Sequence, residues 1–309
     1  GLFVPPEFRG QTRLVDWQAD VLVLDSNTFS VGANYLQEDA RSSFVSQVSQ
    51  NNAGLFVMDQ FALADVWFVT AGARWDESSS AGSASTYRVT NLIRLHEVGP
   101  SIHGSIGTGF RAPALAENLF QYGNPNLRPE RSKGWDIGVE QAIDDGRFVV
   151  DCTYFRNDLT DLIIFDFATF NLQNVGQARS TGIELVARWT PCDCTTIRAN
   201  YTYTDTTNLD TNTQLFRRPR NKASLGVSRS LWCDQLHVGS DLLYIGKRLD
   251  TGNAVLEDYF LTNVYGSYQL NDLWTLFTRV ENLFDEKYEE VNGYGTPGFA
   301  IYGGLDFVW

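Results

Sequence analysis

The sequence predicts an all-β fold, an antiparallel transmembrane β-barrel, from three observations. The first is the final segment. Phe299, Ile301, Leu305, Phe307 and Trp309 fall on one side of an extended chain, and Ala300, Tyr302, Gly304 and Asp306 on the other, because strand side chains alternate with period two. An apolar face, a small or polar face and a terminal aromatic suit the closing strand of an outer-membrane barrel. The second is recurrence of that alternation along the chain. The third is the spacing of the connections, short and long by turns.

The elements follow in order. Strands are expected near 13–26, 28–38, 51–63, 65–77, 84–97, 99–110, 131–143, 147–158, 177–190, 195–206, 216–231, 234–247, 256–270, 273–282 and 299–309. That makes about 15, mostly of the length a tilted membrane strand needs. Trp135, Ile137 and Val139 oppose Gly134, Asp136, Gly138 and Glu140; Ile183, Leu185, Ala187 and Trp189 oppose Glu184 and Arg188. Ile197, Ala199, Tyr201 and Tyr203 share one face, as do Phe260, Val264, Tyr268 and Leu270. Short turns are expected at 63–65, 97–99, 144–146, 191–194, 232–233 and 271–272, and loops at 39–50, 78–83, 111–130, 159–176, 207–215, 248–255 and 283–298. Counted back from Trp309, every short turn lands on one rim, the periplasmic rim of an outer-membrane barrel. An odd strand number does not close a bacterial barrel, and a first strand left as an edge is a liability. Residues 1–309 therefore read as the C-terminal portion of one barrel domain, with early strands missing.

Composition narrows the class. Gly (26), Phe (20), Tyr (13) and Trp (8) are plentiful while Met (1) and Pro (9) are scarce, a mix that favours strands with aromatic edges. Apolar runs such as Leu162-Ile-Ile-Phe165 are far too short for a membrane helix. A net charge of −13 argues against a nucleic-acid partner and fits solvated loops. The start, Gly1-Leu-Phe-Val-Pro-Pro6, lacks the basic residues and long apolar core of a signal peptide. Cys192-Asp-Cys194 is too close for a zinc knuckle and has no second pair beside it. For the four cysteines, Cys152, Cys192, Cys194 and Cys233, a disulfide within the Cys192-Asp193-Cys194 trio is one reading and unpaired thiols the other.

Two blocks carry a family resemblance. One runs Gly107-Thr-Gly-Phe-Arg-Ala-Pro-Ala-Leu-Ala-Glu117, continues through Gly123-Asn-Pro-Asn-Leu-Arg-Pro-Glu130 and ends at Trp135-Asp-Ile-Gly-Val-Glu140. The other is Val280-Glu-Asn-Leu-Phe-Asp-Glu-Lys-Tyr288, followed by Gly293-Tyr-Gly-Thr-Pro-Gly298 and the terminal strand. Together they resemble the barrel of TonB-dependent outer-membrane receptors. The Gly-Tyr-x-Thr-Pro-Gly ending is most similar to that of vitamin B12 (cobalamin) receptors, although Phe299 stands where many members carry Arg after Pro-Gly. The resemblance implies a barrel of about 22 strands, an N-terminal plug domain absent from this chain, residence in the bacterial outer membrane, and energy from an inner-membrane TonB complex. It implies uptake of cobalamin or a related scarce nutrient; a ferric-siderophore receptor of the same family and a passive porin are the alternatives.

Site residues follow from the loops. Arg111, Glu117 and Glu130 bracket the first block. They serve either as a charge cluster that meets the plug or as an ion pair that anchors the loop, and the pattern favours anchoring. Tyr122, Asn124, Tyr288, Asn292 and Tyr294 sit where aromatic and amide groups of an external mouth would grip a corrinoid or siderophore, with girdle and loop packing as the blander role. Asp158, Asp161 and Asp166 supply oxygen ligands of the kind calcium takes, but their spacing matches no EF-hand loop, so a solvated acidic rim is expected and no cofactor or metal. Gly107-x-Gly-x-x-Ala112 lacks the βαβ setting of a dinucleotide fingerprint. Of the three histidines, only His103 has serines near it, Ser101 and Ser105, and no catalytic grouping forms; an enzyme is not expected.

Overall fold

A computed structural model describes residues 7–43, 47–95, 99–119, 123–166 and 169–308. Its strands are β1 (Phe8–Leu24), β2 (Asn27–Ser42), β3 (Val48–Leu63), β4 (Trp67–Ser78), β5 (Gly82–Arg94), β6 (Pro100–Arg111), β7 (Glu130–Ile143), β8 (Phe148–Asp166), β9 (Asn171–Cys192), β10 (Thr195–Asn208), β11 (Asn221–Leu231), β12 (Leu236–Ile245), β13 (Arg248–Leu249), β14 (Val255–Leu256), β15 (Tyr259–Gln269), β16 (Trp274–Glu281) and β17 (Ala300–Phe307). A five-residue helix, α1 (Leu115–Leu119), lies between β6 and β7. No helix among the described residues is long and apolar enough to cross a membrane, which bears only on helices.

Fifteen of the strands form one antiparallel sheet in which each pairs with its sequence neighbour; β13 and β14 make a separate two-stranded ribbon. This is the topology of consecutive hairpins, the cheapest way to pair many strands without crossovers. Tight turns at one rim are set by residues in the left-handed region. Ala64 and Asp65 have φ of 51° and 54°, Asp144 and Asp145 55° and 52°, and Trp232, Cys233 and Asp234 55°, 53° and 66°, in short hairpin connections between the paired ends Leu63–Trp67, Ile143–Phe148 and Leu231–Leu236. Trp232 is held there by an edge-on contact with Tyr268, centroids 6.0 Å apart.

Register fixes the faces. Trp135 pairs with Ile106 and Arg156, Ile137 with Gly104 and Tyr154, and Val139 with Ile102 and Cys152. Ile183 likewise pairs with Tyr154 and Tyr203, and Leu185 with Cys152 and Tyr201. One continuous apolar face results, and its side chains stay exposed, Ile137 at 54% and Trp189 at 48%. Among the described residues no second sheet covers it, so they do not form a sandwich around a dry core. The opposite face is polar and internally bonded. Arg74 Nε donates to Asp76 at 2.8 Å, while Arg74 Nη2 donates to Asn34 Oδ1 at 2.5 Å. His103 Nε2 lies 2.6 Å from Asp151 Oδ2, and Thr153 Oγ1 donates to Asp151 Oδ1 at 2.7 Å. The Ser105 hydroxyl donates to Asp136. On this face rings lie over glycines of the neighbouring strand: a Cβ on Gly182 would overlap the Phe155 ring and the Tyr203 carbonyl, so only glycine fits there.

Three expectations need correction. Loops placed at 39–50 and 159–176 are largely strand, because β2, β3, β8 and β9 run on beyond the apolar belt. Residues 39–50 are mainly polar and 159–176 carries the unbroken apolar run Leu162–Phe165, so neither shows the alternation that marks a half-buried strand. The connection at 78–83 is only a tight turn, with Ser78 paired to Gly82. The chain also enters the sheet at Phe8 rather than at 13, and β11 starts at Asn221 rather than at 216. Trp309 and His96 lie outside the described residues, as do two residues of the turn at 97–99.

Candidate functional site

The rim opposite the tight turns carries the built loops. Arg111 ends β6 and Glu130 begins β7, directly paired across the ladder. Arg111 Nε donates to Glu130 Oε2 at 2.6 Å, and its Nη1 and Nη2 donate to the two Glu117 oxygens at 2.9 and 3.2 Å. Glu117 Oε2 also accepts from the Ala114 amide at 2.8 Å, half of a capping box that starts α1. Glu130 Oε1 accepts from the Ile163 amide at 2.8 Å. One guanidinium thus fastens helix, strand end and the neighbouring β8 extension together, and Pro113 is fully buried beneath them.

The rest of this loop lies down on β8 and β9. Asn124 Nδ2 donates to the Leu172 carbonyl at 3.0 Å, and its Oδ1 accepts from the Asn126 amide at 2.9 Å. Arg128 Nη2 reaches Asp161 Oδ1 at 2.5 Å, and the Arg128 amide donates to Asn174 Oδ1 at 2.7 Å. Asn124 therefore spends its amide on loop geometry. Tyr122 lies outside the described residues.

A second cluster joins the β12–β15 and β16–β17 connections, and its centre is Asp250, which is fully buried. Its Oδ1 accepts from the Thr251 amide and from Arg217 Nε, both at 2.7 Å, and its Oδ2 accepts from the Asn292 amide at 2.7 Å. Those donors, the Asn292 amide foremost, then Thr251 and Arg217, hold the Asp250 carboxyl down at about 2 against the opposing cost of burial. Beside it, Arg248 is buried, donates from Nη2 to the Glu289 carbonyl at 2.5 Å and lies 5.4 Å from the Tyr259 ring centroid. Tyr259 stacks at a tilt on Tyr288, centroids 4.4 Å apart. A cleft of about 470 Å³ opens here, lined by Leu256, Tyr259, Lys287, Tyr288 and Thr296 among others. Thr296 Oγ1 donates to the Tyr288 carbonyl at 2.6 Å, which shapes that wall. On the next turn Lys287, and then the Phe299 amide, draw the Asp285 carboxyl below its ordinary value.

The five proposed ligand contacts therefore divide. Tyr288 lines the cleft, Tyr294 stands 71% exposed beyond it, and Asn292 gives its backbone to Asp250. Asn124 belongs to the other loop. Sequence reading missed Asp250, Arg217 and Arg248. Asp250-Thr-Gly reads only as a local turn, and its decisive partner is 42 positions away.

Asp158, Asp161 and Asp166 are not brought together. Asp158 accepts from Arg156 and Arg179, Asp161 from Arg128, and Asp166 from Thr169. No group of three His, Cys, Asp or Glu side chains among the described residues has metal-site geometry. The four cysteines are free thiols, with Cys192 and Cys194 facing each other across their turn.

A long antiparallel hairpin series with one apolar face, a bonded polar face, tight turns on one rim and packed loops on the other defines the wall of a large membrane-type β-barrel. Residues 7–283 match the family model described as TonB dependent receptor-like, beta-barrel, and the chain belongs to that family. Solved structures agree on the fold. The siderophore receptor PirA from Acinetobacter baumannii is 18% identical with a TM-score of 0.80, over 97% of this chain and 55% of its own. A mutant of the ferric enterobactin receptor PfeA from Pseudomonas aeruginosa is 20% identical with a TM-score of 0.80, over 98% and 54%. The copper transporter OprC is 16% identical with a TM-score of 0.82, over 98% and 57%. The chain thus spans little more than half the length of these relatives.

Proposed function

We propose that this chain forms the barrel wall and part of the ligand-collecting mouth of an outer-membrane receptor that takes up a scarce metal chelate. Energy would come from a TonB complex acting on a plug inside the lumen. The carrying observation is the match of residues 7–283 to the receptor barrel family. Its supporting geometry is the loop rim, where Asp250 and Arg111 each fasten several segments into fixed shape. A passive porin has no need of a preorganised mouth, whereas capture of a dilute ligand gains from one.

Among chelates, a ferric siderophore is the reading favoured over cobalamin. The relatives above are named for siderophores, ferric enterobactin and copper. The Tyr259–Tyr288 stack also offers flat apolar contact of the kind an aromatic ligand takes. The polar face, with Asp136, Glu140, Glu184 and Arg188 on it, would meet the plug.

Binding by the full protein tests this. Ferric enterobactin is expected to bind saturably, more tightly than cyanocobalamin, and Tyr288→Ala is expected to weaken it about tenfold, the loss of one good aromatic contact. Tighter binding of cyanocobalamin would reverse the substrate order. Unselective solute flux that ignores removal of TonB would overturn active uptake in favour of a porin.

A further inference from the structure

Three of the four cysteines sit at the rim of tight turns. Cys192 ends β9, and Cys194 belongs to the turn into β10, where Cys192 pairs with Thr195. Cys233 lies in the turn between β11 and β12. Cys152 is mid-strand on β8, opposite Val139 and Leu185. The Cys192 and Cys194 sulfurs are 2.6 Å apart. That is nearer to a disulfide bond of about 2.05 Å than to an ordinary packing contact of about 4 Å. The Cys192 thiol donates to Thr195 Oγ1 at 3.3 Å, and that oxygen lies 3.6 Å from Cys194 Sγ.

Register leaves Cys192 one partner. Cys152 faces Leu185, and the stretch of β9 from Leu185 to Cys192 spans roughly 24 Å. Cys233 is at least two strand spacings from Cys192, roughly 10 Å, past the separation of about 7 Å that a disulfide bridges. Exposure alone would rank the thiols the other way, since Cys152 and Cys233 are exposed while Cys192 and Cys194 are half-buried. Chemistry agrees with proximity. At the turn end of β9, beyond the apolar belt, contact with Cys194 foremost, then with Thr195, holds the Cys192 thiol down to about 7. Much of it is then thiolate at neutral pH, the form that attacks a disulfide.

We propose that Cys192 and Cys194 form an exchangeable dithiol–disulfide pair, a modification site on the tight-turn rim that an incoming protein disulfide closes. The inference rests on the outer-membrane reading above, which sets that rim in an oxidising compartment. The Cys192 thiolate attacks one sulfur of the incoming disulfide; a mixed disulfide forms, the incoming S–S bond breaks and one partner thiolate leaves. Cys194 then gives up its proton and attacks the Cys192 sulfur, which expels the second partner thiolate. The pair loses two electrons and two protons, and the partner takes both and departs as a dithiol. Closure ties the end of β9 to the start of β10, and a dithiol reverses it by the same steps.

The test uses the full protein, reduced, purified in detergent and then exposed to oxidised glutathione as the probe disulfide. Iodoacetamide followed by mass spectrometry of the peptides reads each thiol. The peptide holding Cys192 and Cys194 is expected two hydrogens lighter, with neither an alkyl group nor glutathione on it. Cys152 and Cys233, which lack a partner, are expected to carry one or the other, and dithiothreitol should restore alkylation at all four. Cys194→Ser is unable to close and should hold glutathione on Cys192 as the mixed disulfide, with unchanged heat-modifiable migration as the check on its fold. Alkylation of both Cys192 and Cys194 after oxidation would overturn the proposal, as would a disulfide from either to Cys233. Protection that a copper(I) chelator removes and dithiothreitol does not would assign a soft metal ion and overturn it as well. Alkylation of intact cells before lysis is expected to find the pair closed. A pair that closes when purified but is reduced in cells would instead defeat the outer-membrane reading.

Discussion

Val139 and Glu140 are neighbours on β7 that face opposite media, and an arginine at each separates those media in energy. Apolar-face positions on β7 run from Trp135 to Ile143. At about 3.4 Å per residue and a tilt of about 40°, that run covers roughly 21 Å of height, close to the apolar band of about 25 Å. Val139 sits halfway, paired with Ile102 and Cys152 and 47% exposed. Val139→Arg should therefore cost about 2–4 kcal/mol, the midplane penalty for a cation on a lipid face, or about 30- to 800-fold in the folding equilibrium. Glu140 pairs with Ser101 and Asp151 on the polar face. An arginine there meets water and a carboxylate, so Glu140→Arg should change stability by less than about 1 kcal/mol. Urea titration of folding into phospholipid vesicles, followed by heat-modifiable migration, reads both. Equal penalties at the two positions, or an indifferent Val139→Arg, would refute the assignment of faces.

Other predictions concern the loop rim and the packing of the polar face. Glu130→Ala removes the Arg111 pair and the Ile163 amide's acceptor; with Arg111 nearly half exposed, the loss should be about 1–2 kcal/mol, seen as faster proteolysis at 112–129 with the sheet intact. The Asp250 carboxyl is depressed, so its stabilisation is present above the ordinary carboxylate value and lost only as pH falls toward about 2. Hydrogen exchange of the Asn292 amide should thus stay slow at pH 4 and speed up near pH 2, and Asp250→Asn should remove that pH step; release already at pH 4 would contradict it. Gly182→Val drives a side chain into the Phe155 ring and should cost about 1–3 kcal/mol by urea titration, while Gly10→Val, with open space around it, should be nearly neutral.

Much of the fold was legible because the apolar belt leaves a period-two record. The faces of Trp135–Val139, Ile183–Trp189 and Ile301–Phe307 follow from alternation alone, and the observed pairing agrees. Legibility ended where strict alternation does. Residues 159–176 read as loop because the run Leu162–Phe165 does not alternate, yet β8 and β9 stay paired from Leu162–Val175 to Asp166–Asn171. Arg111, Glu117 and Glu130 were accessible as a group because a short motif brackets them. Asp250 was not, since its three donors come from 217, 251 and 292, and no local pattern joins those positions.

The claim beneath all of this is that odd positions of β9 touch lipid while even ones line an aqueous lumen. Nitroxide labels placed one at a time from 183 to 189, in the full protein reconstituted into bilayers, measure it directly through collision with oxygen or with a water-soluble nickel chelate. High oxygen exposure at 183, 185, 187 and 189, with nickel exposure peaking at 184, 186 and 188 wherever the plug leaves water, is the predicted result. A flat profile, or oxygen exposure in the opposite phase, would contradict the account.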